Sequence, residues 1–398
     1  MEFIEKRARE LYISSSGLSK PADQFGYGYP FLAYSVIFHN YYIPDSLSLL
    51  VNSTVKDRET CSIKRGDVFL TRTSETTDEL GLSCVALKDY PDATFNGFAK
   101  RLRPITDEII PEYAAYFFRS HFFRSQCMSM ASLITRASLN DGMIGRFRIR
   151  YPKSKADQEK IGALLMNYDN LIEINNKRIK VLEQMAENLY KEWFVRFRFL
   201  GHETAEFENG IPKGWKYIKL FDLAKVTYGY AFSSDDFCED ESLNAVVRIR
   251  DVPNNFTKTY TAESCDDKYL ISENAILVGM DGIFHMCLWN GKRAYLNQRV
   301  VKIESRKNNL CNYLLYLSIA PQVKFWEQVI AGTTVAHLGD KHLKKMLVLI
   351  PDDKILSKAN CIIEKLMIQK NSLFKEIELL VRQRDLFLPR LMSGKLEV

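Results

Sequence analysis

One long pattern occurs twice in this chain, about two hundred residues apart, and each copy runs into a long amphipathic helix. Tyr113, Tyr116, Thr135, Ala137, Leu139 and Pro152 recur as Tyr313, Tyr316, Thr334, Ala336, Leu338 and Pro351. Ahead of them, Phe95-Asn96-Gly97 is answered by Leu296-Asn297-Gln298, and Ala99-Lys100-Arg101-Leu102 by Val300-Val301-Lys302-Ile303. The offset drifts only from 201 to 199, so order and spacing hold where identity is low. A tandem repeat of this size predicts a pseudo-twofold object, two similar surfaces at a set distance. Double-helical DNA is one of the few ligands that offers two spaced copies of a target.

With 398 residues, 46% of them hydrophobic and only 12 prolines, the chain has material for two or three folded domains. Its net charge of +6 is basic but mild for a protein that meets a polyanion. Segments 155–198 (8 basic, 7 acidic) and 352–394 (8 basic, 6 acidic) carry half of that excess. A polyanion must therefore be met by local clusters or with a basic partner. The eight cysteines stand singly, as buried thiols do in a reducing compartment. The opening residues show no apolar stretch behind a basic cluster, and no run of about 18 apolar residues occurs. A cytoplasmic protein with no membrane partner is expected.

Between Gly17 and Pro152 short apolar runs alternate with turn chemistry. Gly66-Asp67 leads into a strand at Val68-Phe69-Leu70, and Ser83 to Leu87 gives another. Residues 112–129 carry aromatics at helical spacing, and Phe147 to Tyr151 is a closing strand before Pro152. Residues 1–16 are left without a clear place beyond a brief helix. In the second copy Ile211-Pro212-Lys213-Gly214-Trp215 opens the unit, and Ala275 to Gly279 takes the place of Asp67 to Thr71. The expected order is a first globular unit at 1–154, a helix at 155–200, a second unit at 201–351 and a second helix at 352–398. This is an α+β fold.

Both helices carry a 4-3 seam. The first runs through Ile161, Leu165, Tyr168, Ile172, Asn175, Ile179, Leu182, Ala186, Leu189 and Trp193. The second runs through Ile363, Leu366, Lys370, Leu373, Ile377, Leu380, Arg384, Phe387 and Leu391, with Gly394 as its stop. Each seam can take a separate partner, but packing on one another as an antiparallel coiled coil is simpler. Asn175, Lys370 and Arg384 on the seam cost stability and can fix register.

Catalytic signatures are missing. There is no phosphate-binding G-x-x-x-x-G-K-[ST], no G-x-G-x-x-G and no metal-ligand spacing among the six histidines. Pro351-Asp352-Asp353-Lys354 has the residue types of a metal-dependent nuclease cluster, but its place at a helix start favours capping. No cofactor or metal is expected on this chain. What recurs instead is polar and basic loops: Lys64, Arg65, Arg72, Thr73, Lys100, Arg101, Arg136 and Ser138 in the first copy. The second has Arg248, Arg250, Arg293, Asn297, Arg299, Thr333 and Thr334. Arginine bonds guanine bidentately, Asn does so to adenine, and Ser or Thr takes phosphates. Any one of them alone reads as solvated surface; recurrence at aligned positions raises the DNA reading.

Two divergent globular units, each followed by a long seam helix, resemble the specificity subunit of type I restriction–modification systems. The resemblance covers nearly the whole chain. It rests on Ile211 to Trp215 with Leu220 and Val226 to Gly229, on Gly66 to Leu70, on Ala156 to Ile161 running to Trp193-Phe194, and on Leu388 to Leu396. The first copy departs by lacking a P-x-G-W opening. The resemblance implies two target-recognition domains reading a bipartite, asymmetric DNA target, with no catalysis in this chain. It also implies partners: two methyltransferase subunits on the helices and motor–nuclease restriction subunits, which bring S-adenosylmethionine, ATP and Mg. A coiled-coil adaptor and a stand-alone DNA-binding regulator remain as alternatives.

Overall fold

A computed structural model describes residues 1–74, 79–130, 132–133, 137–330 and 336–397, with backbone alone at 132, 133 and 137. The chain forms two compact units, Met1–Glu173 with Ile377–Val398, and Ile174–Glu376. The long helices are thus not bodies of their own; each contributes one half to either unit.

In the first unit, strand Phe3–Arg7 pairs antiparallel with Arg148–Pro152, from Phe3↔Pro152 to Arg7↔Arg148. One helical turn, Ala8–Leu11, then feeds strand Tyr12–Ser16 into an antiparallel sheet. Its order is Tyr12–Ser16, Ala99–Pro104, Val68–Thr71, Ser83–Val85. The second unit repeats this element by element. Lys216–Lys219 pairs with Leu347–Ile350, Leu220–Leu223 makes the turn, and the sheet order is Ala224–Tyr228, Val300–Ser305, Ile276–Gly279, Met286–Leu288. Residues 1–16, unplaced from sequence, are therefore the counterpart of 216–228. A short parallel pairing also recurs, Phe25–Leu32 with Thr94–Phe95 and Asn244–Val247 with Ala294–Leu296.

A glycine follows the first strand of the four-stranded sheet in each copy. A Cβ on Gly17 would lie 2.3 Å from the Asn96 carbonyl oxygen, and one on Gly229 would lie 1.9 Å from that of Asn297. Only glycine permits the backbone to pass so close.

The expected helix over 112–129 is broken in two, Pro111–Phe117 and His121–Met130. Ser120 caps the second piece, and the Arg119 guanidinium between them donates to the carbonyls of Ser83, Ile37, Phe38 and Asn40. The second unit has one helix here, Asn312–Ile330, which runs through Pro321. A hairpin precedes the first strand of the second unit's sheet pair. Phe207–Glu208 pairs with Ile211–Pro212 around Asn209 and Gly210, both at positive φ, a two-residue hairpin.

The seam positions read from sequence are all buried or half-buried along helices Lys155–Tyr190 and Asp353–Met392. Each aliphatic side chain that is fully buried contributes about 1.5–3 kcal/mol, and the half-buried ones less. In the first unit Tyr168 packs against Phe387, and Ile161 and Leu165 share a core with Leu388 and Leu391. In the second unit Ala186 shares a core with Ile363 and Met367. Within each unit the first-helix number rises as its second-helix neighbour's falls, so the helices are antiparallel. The first helix ends in a π-helical turn, Lys191–Val195, whose Trp193 and Phe194 are buried. Gly394, at φ +72°, closes the second helix. Asp352 caps that helix's start, its carboxylate accepting from the Lys354 and Ile355 amides at 3.0 Å. Among the described residues no helix is long and apolar enough to cross a membrane.

Candidate nucleic-acid interface

In each unit three loops meet at one end of the four-stranded sheet, held by the same two backbone hydrogen bonds. In the first unit the Arg72 amide donates to Phe98 O at 3.1 Å, and the Leu139 amide donates to Arg72 O at 2.9 Å. In the second the Met280 amide donates to Arg299 O at 2.9 Å, and the Leu338 amide to Met280 O at 2.8 Å. Position by position, Arg72 corresponds to Met280, Phe98 to Arg299, and Leu139 to Leu338. A third bond completes the match: Asn96 N to Leu32 O and Asn297 N to Val247 O, both at 3.1 Å.

The side chains on this shared frame differ. In the first unit Thr73 pairs with Ser138, and the Tyr34 hydroxyl donates to Thr73 O at 2.9 Å. Phe98 stands 58% exposed at the turn tip. The Nε of Arg72 is buried and has no partner among the described residues. In the second unit Arg299 occupies the tip at φ +68°, in the left-handed region that few non-glycine residues adopt. Its Nε lies 3.5 Å from Asp281 Oδ2, and His337 Nδ1 lies 2.6 Å from Asp281 Oδ1. Burial, then the nearby lysines 341 and 345 and His337, hold the His342 imidazole below its usual range. That favours the neutral ring, whose Nδ1 accepts from the Gly339 amide at 3.0 Å.

The structure gathers only part of the basic set named from sequence. Arg72, Thr73 and Ser138 lie together, and Arg248 and Arg299 share the corresponding end of the second unit. Lys100, Arg101 and Asn297 point inward and are not surface groups. Lys100 is paired with Asp141 at 2.8 Å and bonded to Ser16, while Arg101 donates to the carbonyls of Thr60 and Ser62. Lys100 and Arg101 are neighbours on strand Ala99–Pro104 and point to opposite faces, and both faces of the strand are covered there. Lys64 and Arg65 lie at the opposite end of strand Val68–Thr71, about 13 Å of chain away. Arg65 is tied to Glu112 at 2.7 Å and to the Leu87 carbonyl. Arg293 precedes strand Ala294–Leu296, the end away from Asn297, and is 4.0 Å from Asp267. Arg250 reaches Thr259 at 3.4 Å, and Arg248 lies over the Phe237 ring. Arg136, Thr333 and Thr334 lie outside the described residues.

Sequence reasoning missed Tyr34, Phe98, Asp281 and His337. The signal for Phe98 was available: it follows the repeated Asn and aligns with Arg299. Asp281 and His337 meet only through an isolated bridge between distant segments, which no spacing reveals. Among the described residues no three His, Cys, Asp or Glu side chains come together as a metal site.

The model of the type I restriction modification DNA specificity domain matches residues 7–184 and again 212–378. The chain belongs to the type I restriction–modification specificity family. The two matches fall on the two copies of the repeat. The chain is 26% identical over 370 residues to the MjaIX specificity subunit of Methanocaldococcus jannaschii, spanning 87% of this chain and 82% of that one. It is 21% identical to the HindI specificity subunit of Haemophilus influenzae, over 84% and 87% of the two chains. The fold is similar to that of the crystallised S subunit from M. genitalium, with a TM-score of 0.59, 12% identity and coverage of 98% and 96%. As a specificity subunit the chain is a sequence-specific DNA-recognition protein, not an enzyme in its own right.

Proposed function

We propose that the two units read the two halves of a bipartite, asymmetric DNA target. Each uses the sheet end where its three loops meet. The observation that carries this is the identical hydrogen-bonded frame presenting Arg72, Thr73, Phe98 and Ser138 in one unit but Met280, Asp281, Arg299 and His337 in the other. A common frame with different side chains gives a common way of approaching DNA and different bases read. The first helix, 36 residues or about 54 Å long, then serves as a spacer between half-sites.

The same reading assigns catalysis to partners. Two methyltransferase subunits dock on the helices, and restriction subunits join them in the cytoplasm. S-adenosylmethionine, ATP and Mg belong to those subunits. The test is a map of methylated adenines in host DNA with and without this chain. The expected difference is one two-part motif with unlike halves and an unread spacer. A continuous or palindromic motif contradicts the proposal.

A further inference from the structure

The seam between the long helices carries two ion pairs whose signs are sorted by helix. In the first unit Arg384 Nη1 lies 2.6 Å from Asp169 Oδ1, with side chains 15% and 13% exposed. The Tyr116 hydroxyl donates to the other Asp169 oxygen at 2.5 Å. In the second unit the buried Lys370 Nζ lies 2.7 Å from Glu183 Oε1. In these two pairs both acids are on the first helix and both bases on the second, while Arg384 is held in addition by Asp385 on its own helix at 2.9 Å. Lys370 follows Asp169 by 201 residues, and Arg384 follows Glu183 by the same 201. Under the repeat, the two pairs are one contact with the helices exchanged.

That symmetry creates a problem for the chain. Part of the apolar seam also recurs at 201, Leu165 with Leu366, Ile172 with Leu373 and Ile179 with Leu380, so at these levels one helix is barely distinguished from the other. A first helix therefore has an apolar stripe suited to the first helix of a second copy. At the observed antiparallel register that pairing would set Asp169 against Glu183 twice. Two second helices would set Lys370 against Arg384 twice. Only a first helix on a second helix gives opposite charges at both levels. We propose that these four residues are a pairing code, which makes the first helix accept a second helix and reject its own counterpart from another copy. The penalty is largest at Asp169, Arg384 and Lys370, which are mostly withdrawn from water, and smaller at Glu183, whose side chain is 38% exposed. A second helix from another chain remains compatible, but the tethered one has the higher local concentration.

The test uses the full-length chain in three forms. Asp169→Lys with Glu183→Lys makes the seam all basic, Lys370→Glu with Arg384→Glu makes it all acidic, and the fourfold variant exchanges the signs. Light scattering on the wild type and the fourfold variant is expected to give a single copy of 46.1 kDa. An equimolar mixture of the all-basic and all-acidic forms is expected to give a species of twice that mass, absent from either alone. If both double variants are folded and their mixture stays at one copy, the code is overturned. If neither double variant folds, the fourfold variant decides: a folded single copy supports the code, and failure to fold overturns it.

Discussion

Arg101 and Lys302 hold corresponding places in the two sheets, and so do Phe98 and Arg299, but the two comparisons come out differently. Both cations are buried and bonded within their own unit, Arg101 to the Thr60 and Ser62 carbonyls, Lys302 to Glu304 and the Leu270 carbonyl. Phe98 and Arg299 share a backbone position and nothing else. Inside the sheet the repeat has kept a charge where burial makes its loss costly. At the loop tip, where side chains meet solvent or a ligand, it has exchanged an aromatic ring for a guanidinium. The frame is held by packing and backbone hydrogen bonds, and the readout is free to diverge upon it.

The strongest way to break the comparison is at its two glycines. Gly17→Ala and Gly229→Ala each force a Cβ into a carbonyl oxygen, and overpacking of this kind costs about 1–3 kcal/mol or more. Urea unfolding followed in both variants is expected to show similar losses. A large loss in one and none in the other would mean the two frames are not equivalent.

Next come the tips. Arg299→Ala is expected to relax discrimination in one half-site by about 1–3 kcal/mol per lost bidentate contact, and Phe98→Ala to affect only the other. Competition binding with duplexes altered in one half at a time checks this. If either substitution weakens both halves equally, the tips do not read separately. Arg72 sits below the tip, half-buried with an unsatisfied Nε, and suits a phosphate contact. Arg72→Ala is then expected to lower the salt slope of binding by about one while leaving sequence preference unchanged.

The smallest effect is one of pH and belongs to the second unit. His342 is held neutral, its folded pKa below the unfolded value of 6.5. The unfolded chain therefore takes up the proton first, and the stability His342 contributes, full above pH 6.5, is lost as pH falls below it toward the folded pKa. Protection of the Gly339 amide, which donates to the ring, measured against a free amide at the same pH, is expected to fall as pH drops below 6.5. His342→Gln, able to accept the same bond without titrating, should abolish that change.

How much of this was legible in the sequence follows the same division. The seams were legible, because little besides a buried helix–helix contact keeps a 3.5-residue apolar period over dozens of residues, and the structure buries or half-buries each named position. The closing strands and repeat anchors were legible for the same reason of periodicity. The place of residues 1–16 was not, because Phe3–Arg7 pairs with a strand some 145 residues later and carries no P-x-G-W opening. Among the loops, Lys100 and Arg101 looked like Arg72 in sequence. Both lie on a strand whose two faces are covered by segments distant in sequence, Ser16 and Asp141 on one and Thr60 and Ser62 on the other, which a single chain does not display. Arg299 was found because it follows an aligned Asn; its partners Asp281 and His337 are brought together only by the fold.

The most direct measurement exchanges one unit. Residues 3–152 are replaced by the corresponding segment of a relative with a different target, and methylated adenines are mapped across the genome. The expected map shows one half-site replaced, with the other half-site and the spacer unchanged. A map in which both halves change together contradicts two units reading separately from a common frame.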